Sequence, residues 1–356
     1  MKRLLISVGE ASGDRLAAEL VDALRACGCE PELVGLGGPA LVARGIELVE
    51  PMERVAVMGV VEVLARLPAI LAVRRRMVEA LTGVDLLLCV DLPDFNLPLA
   101  RAARRRGIPV VFYGSPQLWA WRPGRASTYA ELGEVLCLLP FEPAHFHEVG
   151  GRATFVGHPA VDRVAWQDAP GLDWALVPGS RLAEWRQMLA TFAQTVALLR
   201  ERVPGAVIRV PLAPGRSVEE MKRFAGTAFV DSVEITQSLE AAVAPAGGVL
   251  AVSGTATLEI ACLGRPMAVC YRVHPVTFEV GMVLVKGVDH MALPNLVAGR
   301  TIVPELVQRF DAETLCDEWQ GVWGDAVQAD ALAGVREALG GRGAAARAAE
   351  VVAQYL

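Results

Sequence analysis

Midway along the chain, the apolar run Trp174 to Val177 stops on Pro-Gly-Ser-Arg and a helical stretch opens at once. A buried strand that ends on Gly179 and Ser180 leaves backbone N–H groups and a helix N-terminus pointing outward, which suits a nucleotide diphosphate. Arg181 adds a fixed cation that can hold two phosphate oxygens together. A phosphate turn that begins the second half of a 356-residue chain predicts two nucleotide-fold-like domains with a cleft between them. That layout belongs to sugar-nucleotide transferases.

The rest of the chain alternates in the same way. Short apolar runs predict strands at Leu4–Val8, Glu32–Leu36, Ile46–Val49, Asp85–Asp91, Pro109–Tyr113 and Val135–Leu139. In the second half they fall at Trp174–Val177, Ala206–Pro211, Ala228–Val230, Val249–Val252 and Met267–Tyr271. Between them lie stretches with helical spacing, among them Gly13–Cys27, with Ser12 or Asp14 able to cap, the neighbourhood of Pro39–Arg44, and Val60–Leu81 with Pro68 inside. Further helices are expected to start near Pro98 and Glu142, and the Ala-rich chain beyond Asp325 reads as helical. Continuous apolar strands alternating with helices imply parallel sheets with right-handed crossovers and ligands at the strands' carboxyl ends. The fold class expected is therefore α/β, two Rossmann-like domains whose parallel sheets face a central cleft. Pro, Gly and acids replace the apolar rhythm in DAPGLD, Asp168–Asp173, so the domains are placed at residues 1–168 and 169–356, with the C-terminal helix free to pack back on the first.

Composition removes several classes. At 53% hydrophobic and 21% charged residues the chain has a core to bury and is not disordered. A formal charge of −6 argues against a general nucleic-acid binder. The seven cysteines (Cys27, Cys29, Cys89, Cys137, Cys262, Cys270 and Cys316) are scattered through mostly apolar runs, as reduced core thiols of a cytosolic protein are. The start, MKRLLISVGEASGD, reads as a first strand and not a signal peptide. No apolar run is long enough to span a membrane.

Several constellations carry chemistry. GEASGD, Gly9–Asp14, holds a Gly-x-Ser-x-Gly around Ser12, the pattern of a hydrolase nucleophile elbow. With only one strand before it to build an oxyanion loop, a tight turn is the better reading. DLPDFN, Asp91–Asn96, follows a buried strand; a carboxylate there can take a proton from an attacking hydroxyl, partial burial raising its pKa. Asp91 or Asp94 can instead cap the next helix. There is no Asp-x-Asp pair for a divalent metal, so helix dipoles and arginine are left to neutralise a diphosphate. YGSPQLWAWRPGR, Tyr113–Arg125, sets Trp119, Trp121, Arg122 and Arg125 in a loop, either as a wall for sugar or anionic lipid or as interface packing. SGTATLE, Ser253–Glu259, joins a strand to a helix through Gly254 and Thr255, and Glu259 can accept ribose hydroxyls. His158 in VGHP lines the cleft or satisfies a turn. His145 and His147 lie on different helix faces and share no metal. The segment Val60–Val78 sets apolar residues opposite Arg66, Arg74, Arg75 and Arg76; it lies on an anionic membrane surface or packs on its own sheet with the arginines in water.

GEASGD, GLGGPAL, VMGVVEVL, DLPDFN, SPQLWAWR, LPFE, FVGHP, PGSR, SGTATLE, the Tyr271–Arg272 pair and LPNLVAG run in that order from about Leu4 to Gln308. This ordered set resembles the lipid-A-disaccharide synthase family. The resemblance implies an inverting glycosyltransferase of the GT-B fold that needs no cofactor or metal. It also implies UDP-2,3-diacylglucosamine as donor, 2,3-diacylglucosamine 1-phosphate (lipid X) as acceptor, and a β-1,6-linked disaccharide and UDP as products. Carried over by motif, Asp91 is the general base for the acceptor 6-hydroxyl. Ser180 and Arg181 hold the diphosphate, Ser253, Gly254 and Thr255 border the donor, Glu259 takes the ribose and Asn295 of LPN lines the donor site. Ser12, Asp94, Asn96, Trp119, Trp121, Arg122 and His158 are left for the acceptor or the cleft wall. Acylated substrates favour docking of the 60–78 segment on anionic lipid, with the protein cytoplasmic and peripheral to the inner membrane face. The short connection from His158 to Val177 departs from the family pattern. Two rivals stay open: a GT-B enzyme with another acceptor, and a non-catalytic lipid-sugar binding protein.

Overall fold

The computed structural model describes residues 2–55, 60–118, 123–169, 171–273, 278 and 290–356. The chain forms two compact units, one of Met1–Pro159 with Arg342–Leu356, the other of Ala160–Gly341.

The first unit holds seven strands, β1 (Arg3–Ser7), β2 (Glu32–Gly37), β3 (Glu47–Pro51), β4 (Leu86–Val90), β5 (Val110–Tyr113), β6 (Glu134–Cys137) and β7 (Ala153–Phe155). They lie in the order β3-β2-β1-β4-β5-β6-β7, every pair parallel. Helices α1 (Ala11–Ala26), α2 (Pro39–Val42), α3 (Val60–Glu79) and α4 (Pro93–Arg105) connect the first of them. β4 is LLLCV and buried throughout; a strand covered on both faces needs no polar alternation, which is why it reads as one apolar run. One core layer packs β-strand residues such as Leu5, Leu87 and Phe112 against Val73 and Met77 of α3 and Leu99 of α4. On the other face Leu4, Ile6 and Leu88 meet Leu16 and Leu20 of α1.

The second unit repeats the topology. Its strands are β8 (Asp173–Val177), β9 (Ile208–Pro211), β10 (Glu234–Thr236), β11 (Ala246–Val252), β12 (Met267–Tyr271) and β13 (Glu305–Val307), ordered β10-β9-β8-β11-β12-β13 and all parallel. The long helix Leu182–Arg202 buries Trp185, Met188, Leu189, Phe192 and Val196 against this sheet; each such side chain contributes about 1.5–3 kcal/mol relative to exposure. Both units are thus Rossmann-like.

The segment Ala228–Val230, expected as a strand, lies in the helix Thr227–Asp231, and the strand is Glu234–Thr236 three residues on. That edge strand is short and partly exposed, so it leaves no apolar run. β7 and β13, also edge strands, are half-buried, and β13 leaves no apolar run for the same reason. Helix α4 begins at Pro93, not near Pro98: Pro93 takes the first helical position, where its missing N–H costs no hydrogen bond, and Pro98 lies inside the helix. The chain passes between units after Pro159, ahead of DAPGLD. Residues 160–168 already belong to the second unit, where Gln167 N–H donates to Leu263 O (3.1 Å) and the Trp166 ring fills the space over Gly264. The C-terminal helix Ala344–Ala353 lies on the first unit, burying Ala348, Ala349 and Val352 beside α1, and Tyr355 Oη donates to Glu134 (2.6 Å).

Candidate functional site

In each unit the sheet reverses strand order once, between β1 and β4 in the first and between β8 and β11 in the second. The crevice outside the carboxyl ends of the strands at such a reversal is where open parallel sheets bind ligands. GEASGD follows β1 and DLPDFN follows β4; PGSR follows β8 and SGTATLE follows β11. Each unit therefore brings two of the sequence motifs to its own reversal point.

In the first unit Asp91 and Leu92 are consecutive non-glycine residues in the left-handed region, with φ of 54° and 45°. Each costs about 1–2 kcal/mol for an L-residue, and such backbone persists where its surroundings over-determine it. The surroundings here are two glycines. A methyl group on Gly9 would fall 1.9 Å from Leu92 Cδ1, and one on Gly13 would fall 2.4 Å from Asp91 Oδ2. The glycines of GEASGD thus make room for DLPDFN. Ser12 is exposed in the first turn of α1. Neither Ser12 nor Asp14 caps that helix: its N-cap is Glu10, and Asp14 is buried, accepting the N–H groups of Gly38 (2.8 Å), Ala40 (2.8 Å) and Leu41 (3.3 Å). Asp14 therefore caps α2 and fixes GLGGPAL.

Asp91 is an exposed residue whose carboxylate stands beside Gly13 and Gly114, a Cβ on the latter falling 3.9 Å from Oδ1. Desolvation by those neighbours, with the negative charge of Glu10 adding, pushes its pKa up to about 6. Asp91 does not cap α4, and neither does Asp94; the N-cap is Leu92, without a side-chain bond. Asp94 points to solvent and pairs with Arg125 (2.7 Å). Asn96, expected at the cleft wall, is only 1% exposed: its Nδ2 donates to Asp91 O (2.8 Å) and its Oδ1 accepts from Ser7 Oγ (2.6 Å). It supports the acid's turn from beneath. His158 is buried at the end of this unit. Trp119, Trp121 and Arg122 lie outside the described residues.

In the second unit Gly179 has φ of +83°, which glycine adopts without penalty. Arg181 is the N-cap of the helix Leu182–Arg202, and its guanidinium is half exposed. The turn's amides are less open than the sequence suggests. Glu184, in the first helical turn, accepts the Arg181 N–H (3.2 Å), and its other oxygen meets Arg181 Nη1 (3.5 Å); its Oε2 sits 2.2 Å from where a Gly179 Cβ would be. Burial raises the Glu184 pKa, opposed by Arg181 and by the N–H groups of Arg181 and Ser180. Trp185 Nε1 donates to Gly179 O (3.0 Å). Glu184 was not singled out in the sequence, although an acid three residues beyond a turn residue is a recognisable reciprocal-cap signal.

At the neighbouring strand end, Gly254 has open space around it and Thr255 is exposed. Ser253 Oγ donates to Met291 O (2.9 Å). Glu259 is partly exposed and pairs with Arg163 (3.4 Å). Asn295 does not line a pocket: it is fully buried, its Nδ2 donating to Val303 O (2.9 Å) and Glu305 Oε1 (2.6 Å), its Oδ1 accepting from Ile302 N (2.7 Å) and Val303 N (2.9 Å). It clamps the loop that leads into β13. Arg272 is likewise built into the unit, over the Phe310 ring (4.0 Å) and bonded to Thr191 Oγ1 (3.1 Å).

A family model described as lipid-A-disaccharide synthetase matches residues 4–318. A lipid-A-disaccharide synthase of Myxococcus xanthus is 40% identical over an alignment of 377 residues, covering 99% of this chain and 97% of that protein. One from Neisseria gonorrhoeae is 42% identical over 326 residues, covering 86% and 83%. Among solved structures, the glycosyltransferase of kitacinnamycin superposes with a TM-score of 0.64 at 18% identity, covering 100% of this chain and 99% of that one. The fold is that of the GT-B glycosyltransferases.

Proposed function

Because the chain belongs to the lipid-A-disaccharide synthase family and is a glycosyltransferase, we propose that it joins UDP-2,3-diacylglucosamine to 2,3-diacylglucosamine 1-phosphate in one inverting, metal-independent displacement. Asp91 takes the proton of the acceptor 6-hydroxyl as its oxygen bonds to the donor C1. The bond from C1 to the β-phosphate oxygen breaks, UDP leaves with the electron pair, and the β-1,6-linked disaccharide forms. The observation that carries this reading is Asp91 itself, a carboxylate at the sheet's reversal point with its pKa pushed up to about 6. An acid so placed is a far better base near neutrality than an ordinary carboxylate.

The departing UDP gains negative charge, so preorganised positive potential is the main aid the second unit can offer. Arg181 and Ser180 supply it beside the N-terminus of a 21-residue helix. Ser253, Gly254 and Thr255 border the donor, and Glu259 accepts the ribose hydroxyls with its carboxylate oriented by Arg163. Asn295 acts at one remove by holding the loop near Met291 through Glu305, which accepts the Met291 N–H (2.7 Å).

The acyl chains call for a lipid surface. Helix α3 buries Val73 and Met77 but leaves Leu67 and Leu71 about two-fifths exposed beside exposed Arg66 and Arg75, a pattern suited to anionic headgroups. No helix among the described residues is long and apolar enough to cross a membrane. A peripheral protein at the inner membrane's cytoplasmic face accommodates both facts.

The test is conversion of UDP-2,3-diacylglucosamine and lipid X by purified protein in the presence of a chelator. Disaccharide and UDP in equal amounts are expected. Absence of product, or dependence on added divalent metal, overturns the reading.

A further inference from the structure

Three successive carbonyls around the proposed base end on one side chain and its backbone. Asn96 Nδ2 donates to Asp91 O (2.8 Å) and, at longer range, to Val90 O (3.4 Å), and Asn96 N–H donates to Leu92 O (2.9 Å). Its remaining acceptor, Oδ1, is taken by Ser7 Oγ at 2.6 Å. Ser7 ends β1, is fully buried, and stands on the sheet face that carries Leu5, Leu36, Cys89 and Phe112, paired across the sheet with Leu36 and Cys89. A hydroxyl and an amide buried among apolar groups are costly unless each is bonded. Here each satisfies the other, and together they close on the two left-handed residues that present the acid.

We propose that Asn96 and Ser7 are positioning residues that hold the Asp91–Leu92 turn in its left-handed form and so aim the Asp91 carboxylate at the acceptor. The inference rests on the reading of Asp91 as the base. Neither residue touches substrate: Asn96 is 1% exposed and Ser7 not at all. Their action passes through the Asp91 carbonyl. Without the clamp, the turn relaxes toward ordinary backbone and the carboxylate leaves its place beside Gly13 and Gly114. Of the groups packed there, Glu10 in the β1–α1 turn brings charge to Asp91, Asp14 is spent on the amides of residues 38, 40 and 41, and Gly114 at the end of β5 brings none.

The experiment compares Ser7→Ala and Asn96→Ala with the parent chain and with Asp91→Asn. Expected for both clamp variants is a fall in kcat of roughly 10- to 100-fold, with KM for both substrates and UDP affinity nearly unchanged. Expected too is an acid limb of the kcat profile moved below its parent position near pH 6, toward that of a hydrated carboxylate. A folded variant whose kcat and acid limb stay at parent values overturns the proposal. So does a lower kcat that tracks only lost active protein, the limb unmoved. Ser7→Ala removes a single hydroxyl and decides the matter if Asn96→Ala fails to fold. Full activity in Asp91→Asn marks failure of the base reading itself; an inactive Asp91→Asn beside unaffected clamp variants marks failure of the positioning alone.

Discussion

The two units share a strand order and each places a carboxylate beside its reversal point, yet they give it different neighbours. In the first, Asp91 stands beside two glycines with Glu10 as its charged neighbour, and both desolvation and repulsion favour the protonated form. In the second, burial also raises the Glu184 pKa, but Arg181 and two backbone N–H groups offset part of that rise. One acid is set up to accept a proton; the other is spent fixing a turn and a guanidinium. A repeated fold does not carry a repeated function, because the electrostatics are written in the few residues beyond each strand.

Variants in one unit at a time break or sharpen that contrast. The largest effect is expected from Asp91→Asn, which should lower kcat by about 10²- to 10⁴-fold while UDP affinity, measured calorimetrically, stays put. A parallel loss of UDP affinity would erase the division of labour. Arg181→Ala should do the reverse, weakening UDP about 10- to 100-fold through loss of charge-assisted bonds; unchanged UDP binding there removes the phosphate role. Among glycines, Gly179→Ala should lose about 1–3 kcal/mol by thermal unfolding, since its φ of +83° and Glu184 Oε2 both oppose a side chain. Gly254→Ala, with open space around it, should stay within about 0.5 kcal/mol. Equal losses at the two positions would show that Glu184 does not set the PGSR turn.

The smallest effect is a pH dependence of stability. Asp91 has a folded pKa of about 6 against about 3.9 unfolded, so its ionisation opposes folding above that range. The parent therefore loses stability relative to Asp91→Asn as pH rises from about 4 to about 6. Unfolding temperatures should coincide in acid, and the variant should be the more stable at pH 8. A variant less stable at pH 8 than at pH 4, relative to the parent, contradicts the raised pKa.

Much of this was legible in the chain. Asp91, Arg181, Ser253 and Glu259 were marked by their place in motifs after apolar runs, and the structure sets the first three just past strand ends beside the reversal points and Glu259 within the helix that follows β11. Asn96, from its place in DLPDFN, and Asn295, carried over from the family resemblance, were expected to line the site, yet both are buried and turned inward. Nothing local announces that Ser7 will meet Asn96, or that Asp14 will cap a helix 25 residues on. Edge strands such as β10 escaped because a strand with one neighbour and a wet face needs little apolar sequence.

What the sequence decided unaided was the alternation of strand and helix and the chemical character of each turn, since burial on both faces of a parallel sheet forces continuous apolar runs and glycine, proline and acids punctuate them. What only the folded chain decided was which polar side chain meets which: the pairing of β1 with β4 sets Ser7 under Asn96. Periodicity is local and survives in one dimension, whereas a hydrogen-bond partner 89 residues away is fixed only once the sheet has closed.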